Sequence, residues 1–372
     1  MFFAGILCFT MLSIGEVKNE MTFTPYGLAQ YRLRFDYQMN TDKNENQTFM
    51  GNYSNRIAYK VGLKVTVNPQ VLAQFEIGND WSSTEGVSDI TGNYAGKRNV
   101  TIYPWFSLAF MQWDPGYMHI SAGIVPVKGT ALTDLYGVSV MNNKKYKAAA
   151  HSSWMTNTNG GITALKIGAP LVKGNFKLGI DLLTTVLEQR NVTALKDIKI
   201  NNPAITFLLD LPMSYQDLTI LPQFILAGNR NFRDDAMISG GSDHELGAGI
   251  DLGYKLNKVI SFRAGCGFSS ISNENTRTAA DTAYDQLGTN TTVGTTIKAG
   301  PGKIDFDFNI STDENREKAN SAINYPFIDL RYAIALNKNF SITPRGRMFF
   351  TNNSDNSGIL LIRPELIISG SF

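Results

Sequence analysis

The side chains with the most to offer chemically are cations gathered near the two ends of the sequence. Arg32, Arg34, Arg56, Lys60 and Lys64 stand near the amino end, and Arg331, Arg345, Arg347 and Arg363 near the carboxy end. Guanidinium groups spaced in this way can hold carboxylates or phosphates through paired donors. Acids, among them Asp181, Glu245, Asp251, Asp305 and Asp307, occupy the stretch between. Covalent and metal chemistry have much less support. His119, His151 and His244 are scattered, with no H-x-x-x-H or H-E-x-x-H spacing, so no metal site is expected. No G-x-S-x-G, phosphate-binding loop or dinucleotide fingerprint occurs where a strand leads into a helix. His119 beside Ser121 is the single hint of a hydrolase, and neither an enzyme nor a cofactor is expected.

The elements that must position these charges follow from composition and period. Charged residues make up 18% of the 372-residue chain, below the roughly 25% of soluble proteins. Glycine, with 33 residues, and Phe plus Tyr, with 37, are plentiful, which suits aromatic strands joined by turns. A net charge of +2 offers no bulk excess for nucleic acid or for a polybasic membrane-surface role. Residues 2–14 are an apolar run too short to span a bilayer as a helix, and Ser13-Ile14-Gly15 offers small residues where a signal peptidase reads. Residues 1–15 are therefore expected to be a signal peptide, and 16–372 a single domain; a short buried N-terminal element is the alternative. Cleavage would remove Cys8 and leave Cys266 alone, with no intramolecular disulfide. No later run of about eighteen apolar residues exists, which excludes a helical membrane protein.

From Ala29 the chain alternates without error. Ala29, Tyr31, Leu33, Phe35 and Tyr37 fall on one face, with Gln30, Arg32, Arg34 and Asp36 on the other. A period of two is a strand. The pattern recurs in Ile57 to Val67, Phe176 to Leu182, Leu246 to Tyr254, Ile260 to Phe268 and Ile304 to Ile310, always with charges, glycines or hydroxyls opposite the apolar set. Several segments reach eleven residues or more, whereas soluble strands average about 5 to 6 and membrane strands need about 9 to 11.

Tight and long connections alternate. Turn residues mark Asn68-Pro69, Asp114-Pro115-Gly116, Lys173-Gly174, Ser214 to Asp217, Asn257-Lys258, Gly300 to Gly302 and Asn337 to Asn339. Long polar connections lie at 39–53, 82–99, 128–157, 188–202, 229–243, 271–289, 313–322 and 352–358. Seven turns and eight loops join sixteen strands. The expected fold is all-β: a transmembrane antiparallel β-barrel of about sixteen strands, with short periplasmic turns and long extracellular loops.

In the last segment Phe372 shares a face with Gly370, Ile368, Leu366, Pro364, Ile362 and Leu360. This ending, on a barrel of this size, resembles the bacterial outer-membrane porin superfamily, general or anion type. The resemblance implies an outer-membrane location, insertion by the barrel-assembly machinery reading Phe372, Ile368 and Leu366, and a homotrimer. Aromatic residues near predicted strand ends, from Tyr26 and Tyr37 to Trp113, Tyr254, Tyr325 and Phe350, suit girdles at the two interfaces.

Closing the barrel brings the last strand beside the first. The nine cations named above then form one basic wall on five adjacent strands, relieved by Asp36, Asp329 and Glu365. Asp251, Asp305 and Asp307 are expected across the lumen from that wall, giving a transverse field. The longest loop, 128–157, falls where sixteen-stranded porins carry an inward-folding constriction loop, and here it is basic at Lys128, Lys144, Lys145 and Lys147 with Asp134 as its one acid. General porins carry acids there, so this departure favours anions. The expected function is passive diffusion of small hydrophilic solutes, with a modest anion preference. The rival is an adhesin or structural barrel whose loops bind a surface partner, favoured if the lumen is plugged.

Overall fold

A computed structural model describes residues 21–40, 49–79, 83–89, 105–126, 130–132, 161–186, 205–230, 243–273, 284–316, 321–352 and 358–372. Residues 1–15, read as a signal peptide, lie outside these. The described residues form strands β1 (Thr22–Asn40), β2 (Phe49–Asn68), β3 (Val71–Asn79), β4 (Ser83–Asp89), β5 (Trp105–Trp113), β6 (His119–Pro126), β7 (Gly161–Val172), β8 (Phe176–Val186) and β9 (Ile205–Asp210). They continue with β10 (Met213–Tyr215), β11 (Leu218–Arg230), β12 (Asp243–Lys255), β13 (Ile260–Asn273), β14 (Tyr284–Ala299), β15 (Gly302–Asn315), β16 (Ile323–Ala335), β17 (Phe340–Asn352) and β18 (Gly358–Ser371).

These segments make sixteen staves. β3 and β4 are two pieces of one stave, both paired with β2, and β9 and β10 both lie between β8 and β11. Each stave pairs antiparallel with its sequence neighbours, and β18 closes on β1 from Leu28 opposite Ser371 to Asn40 opposite Ile359. Closure satisfies the backbone groups that an open edge would leave to lipid, which is why a sheet crosses a bilayer only as a barrel.

The side chains sort by alternation. Outward positions are apolar and exposed, as at Val61, Leu226 and Leu246 (55%, 56% and 60%), while inward neighbours such as Asp307, Asn309 and Gln223 are fully covered. An apolar outer belt over a closed ladder matches the hydrocarbon of a bilayer. β1 and β2, with 19 and 20 residues, are longer than the roughly 9 to 11 that a membrane crossing needs.

The tight turns use the chemistry read from the sequence. The side-chain oxygens of Asn68, Asp114, Asn257 and Asn337 each accept a hydrogen bond from a backbone N–H two residues on, at 2.7–2.9 Å. Gly116 and Gly174 sit at φ of +93° and +128°, where a Cβ would be strained.

Candidate functional site

The inner wall from β13 round through β18 to β3 carries a series of ion-pair groups. Arg263 Nε donates to Asp307 at 2.6 Å, and Arg331 Nε donates to Asp305 at 3.1 Å. Arg345 binds Asp329, and Arg347 binds Glu365. Glu365 also lies 3.5 Å from Arg32 and 3.7 Å from Arg345, so one fully covered carboxylate serves three arginines. Asp36 is shared in the same way by Arg34 at 2.8 Å and Arg363 at 2.6 Å, and Lys60 meets Glu76 at 2.8 Å. With Lys303, 3.7 Å from Asp305, these pairs join nine cations to six carboxylates among the described residues. Within these pairs the cations outnumber the carboxylates by three.

Glycine makes some of these pairs possible. Arg263, Gly294 and Asp307 stand opposite one another on β13, β14 and β15, and a Cβ at Gly294 would run into both the carboxylate and the guanidinium. His119, Gly168 and Asp181 repeat the device on β6, β7 and β8, with His119 Nε2 at 2.8 Å and Lys166 Nζ at 3.2 Å from the Asp181 carboxylate. In each case the empty middle position lets two residues meet across a strand.

Toward the loop end of β16–β18 the inner wall turns aromatic. Phe327 stacks on Phe349 with ring centroids 4.5 Å apart, and Leu361 completes the cluster. The guanidinium carbons of Arg363 and Arg347 lie 5.1 and 5.5 Å from the Phe349 centroid, within cation–π range. Tyr325 packs on this cluster, so it belongs to the inner wall and not to the outer girdle expected for it. Its strand alternates with Phe327, Asp329 and Arg331 facing in, which is the signal that could have placed it.

The opposite arc has a different character. Phe110, Val125, Ala164, Leu183, Leu208 and Ile225, from β5, β6, β7, β8, β9 and β11, form one buried apolar cluster on the inner face. Sequence reasoning missed this patch. The available signal was loss of alternation in runs such as Phe207-Leu208-Leu209 and Phe224-Ile225-Leu226, which are apolar on both faces. The start of the long connection between β6 and β7 enters here: Thr130, Ala131 and Leu132 are buried inside the barrel, and Leu132 is part of the cluster. Residues 133–160, including Asp134, Lys144, Lys145 and Lys147, and Lys128 also, lie outside the described residues.

A cavity of about 1030 Å³ lies on the short-turn side of Thr130. Its wall includes His119, Asp181, Lys177, Asp251 and Arg263. No group of three or more His, Cys, Asp or Glu residues that could hold a metal occurs among the described residues.

No protein-family model matches the chain, and no curated protein matches it in sequence. Solved structures do match. The outer membrane channel DcaP of Acinetobacter baumannii aligns over 96% of this chain and all of its own, with a TM-score of 0.57 at 9% identity. An anion-selective porin from Comamonas acidovorans aligns over 95% of this chain and all of its own, at 0.56 and 12%. OmpF of Salmonella typhi aligns over 94% of this chain and 97% of its own, at 0.51 and 12%. The fold is that of the sixteen-stranded porins.

Within that barrel, the sequence-predicted residues divide. Arg32, Arg34, Lys60, Arg331, Arg345, Arg347 and Arg363 lie on the inner wall in ion pairs, while Arg56 is placed only by register, opposite Arg32, and Lys64 is exposed near the short-turn end of β2. The transverse arrangement of Asp305 and Asp307 requires correction. Both lie on β15, beside the wall and not across from it, because β15 pairs directly with β16 and sets Asp305 opposite Arg331. Asp251 lies on β12, next to β13 and its Arg263, and it accepts the backbone N–H of Ala131. Phe372, Leu366 and Ile368 share the outward face, with Phe372 bonded through its backbone to Gly27.

Proposed function

We propose that the protein is a porin of the bacterial outer membrane, a passive channel for small hydrophilic solutes that works without turnover and prefers anions modestly. The observation that carries the reading is the inner arc of nine cations on six carboxylates, set in a closed barrel into which the segment at 130–132 is inserted. Solutes then pass beside the charged arc. A surplus of charge acts over about one Debye length, roughly 8 Å at physiological ionic strength and 30 Å at 0.01 M, so the preference strengthens in dilute salt. Arg32, Arg34, Lys60, Arg331, Arg345, Arg347 and Arg363 are the pore-lining cations on this reading, with Asp305 and Asp307 among them as partial counter-charges.

Single-channel recording of purified protein in a planar bilayer is the test. Expected are stable conductance steps and a reversal potential of anionic sign in a potassium chloride gradient, reduced when Arg345 and Arg347 are both replaced by Ala. A cationic reversal potential overturns the preference. An intact barrel with no conductance overturns the channel and favours an adhesin or structural barrel, a reading that the filled apolar arc makes specific.

Assembly belongs to the same proposal. The trimer form of OmpT from Vibrio cholerae aligns over 94% of this chain at a TM-score of 0.52 and 10% identity, which supports a homotrimer here. The outward row of Phe372, Ile368 and Leu366 is offered to the barrel-assembly machinery. Deleting Phe372 is expected to leave the chain in the periplasm, read as its loss from an outer-membrane fraction.

A further inference from the structure

Two of the short turns carry the same three residues. Leu256-Asn257-Lys258 joins β12 to β13, and Leu336-Asn337-Lys338 joins β16 to β17. They are also folded alike. The side-chain oxygen of Asn257 accepts from the backbone N–H of Val259 at 2.7 Å and of Ile260 at 2.8 Å, and that of Asn337 accepts from Asn339 at 2.8 Å and Phe340 at 2.9 Å. Two bonds to one carboxamide hold each turn in shape, so Lys258 and Lys338 stand exposed at matching points of the rim.

The short turn between them is basic as well. Lys298 and Lys303 stand directly opposite each other at the ends of β14 and β15, and Lys255 closes β12. Like charges placed opposite across a ladder repel. Five exposed lysines thus occupy three consecutive short turns, while no Asp or Glu occurs in residues 252–260, 296–304 or 332–344. Among the described residues one of the five pairs with a carboxylate, Lys303 with Asp305 at 3.7 Å. The two acids of the short turns, Asp114 and Asp217, lie elsewhere, after β5 and after β10. From β12 to β16, four strand spacings of about 4.8 Å make the basic strip roughly 19 Å wide.

The apolar neighbours of the strip decide what it meets. Leu256 and Leu336 are 51% and 58% exposed, and Tyr254, Val259 and Phe340 beside them 46%, 47% and 50%. Tyr254 lies on the outward face with Leu246, and Phe340 on the outward face with Phe372. Exposed apolar groups at the edge of the belt, next to lysines at the turn tips, match the boundary between acyl chains and headgroups, because a lysine stem can lie along apolar surface while its ammonium reaches a phosphate. An acidic protein surface would account for the lysines but not for an apolar row continuous with the lipid-facing belt. Short turns of such barrels lie on the periplasmic side, so the lipid is that of the periplasmic leaflet.

We infer that the rim from β12 to β17 is a binding surface for anionic phospholipid, with the two Leu-Asn-Lys turns as its contact points, leucine at the acyl boundary and lysine on the headgroup. This requires the barrel to sit in a bilayer but not to conduct, so it stands apart from the channel reading.

The test uses the full-length protein refolded into phosphatidylcholine vesicles with a trace of spin-labelled phosphatidylglycerol or spin-labelled phosphatidylcholine, and reads the share of label immobilised at the barrel. Phosphatidylglycerol is expected to be held in preference at low ionic strength, and the preference to vanish in about 1 M salt, where the Debye length falls to roughly 3 Å. Replacing both turn lysines, Lys258→Gln with Lys338→Gln, should lower the preference by up to about fivefold per lysine, whereas Lys258→Arg with Lys338→Arg should keep it. Lys177→Gln removes an exposed lysine of the same end that lines the interior cavity, and should leave the preference unchanged. No preference for phosphatidylglycerol in the parent, or one that survives loss of both turn lysines, overturns the surface. An equal loss in Lys177→Gln overturns its assignment to these turns, since net charge would then account for it.

Discussion

The two arcs of the inner wall solve one problem by different means. From β13 round to β3, strands fill the interior with long charged side chains that neutralise one another in part, as where Glu365 serves Arg32, Arg345 and Arg347. From β5 to β11, a buried apolar cluster of Phe110, Val125, Ala164, Leu183, Leu208 and Ile225 takes in Leu132 from the inserted segment, beside a smaller polar group of His119, Lys166 and Asp181. Charge on one side is held in shared ion pairs, with Asp307, Asp329 and Glu365 no more than 5% exposed. Apolar surface keeps the other side closed, because burying it releases about 25 cal/mol per Å².

The sharpest way to break the comparison is to damage each arc to a similar degree. Glu365→Ala leaves three arginines without their common carboxylate and is expected to cost about 3–5 kcal/mol; Phe110→Ala opens a cavity in the apolar cluster and is expected to cost about 3–5 kcal/mol. Urea unfolding from bilayers should find them alike, whereas reversal potentials should move toward anions for Glu365→Ala alone. Equal reversal potentials would mean that the charged arc does not face the permeant ions.

A smaller contrast tests inside against outside. Val61→Arg, on the lipid face, should cost roughly 2–4 kcal/mol near the midplane, while Thr343→Arg, on the inner wall, should cost under about 1 kcal/mol. Refolding into bilayers measures both. Gly62, which the period alone offers as a tolerant inward site, is a poor control, because the Tyr26 ring lies over it.

Smaller still are changes within the charged arc. Gly294→Ala should separate Arg263 from Asp307 and cost about 1–3 kcal/mol through overpacking, with a measurable drop in thermal stability. Lys303→Ala should change stability by no more than about 0.5 kcal/mol, since its side chain is 56% exposed and its contact with Asp305 is 3.7 Å long. A large loss at Lys303 would show that the surface pair is tighter than its geometry.

Much of the fold was legible because a barrel strand states its own orientation. In Ile304 to Ile310, apolar residues face lipid and Asp305, Asp307 and Asn309 face inward, and no distant contact is needed to decide it. The apolar arc was not legible, because Phe207-Leu208-Leu209 carries no period when both faces are apolar. Ion partners were legible only between staves already known to be neighbours. Arg32 and Glu365 could be brought together by closure, but the sharing of Glu365 among three arginines depends on register.

The sequence by itself determined the strand period, the turns, the stave count and the gathering of cations at the closing seam. Those features are local, or follow from joining the last strand to the first. Only the tertiary structure decided that Asp305 and Asp307 stand beside the basic wall, because their place depends on which stave β15 pairs with and at what offset. It alone decided that residues 130–132 turn inward, where Ala131 bonds to Asp251 and Asn290. That docking joins groups more than a hundred residues apart, and its complementarity exists only once β12, β13 and β14 are aligned.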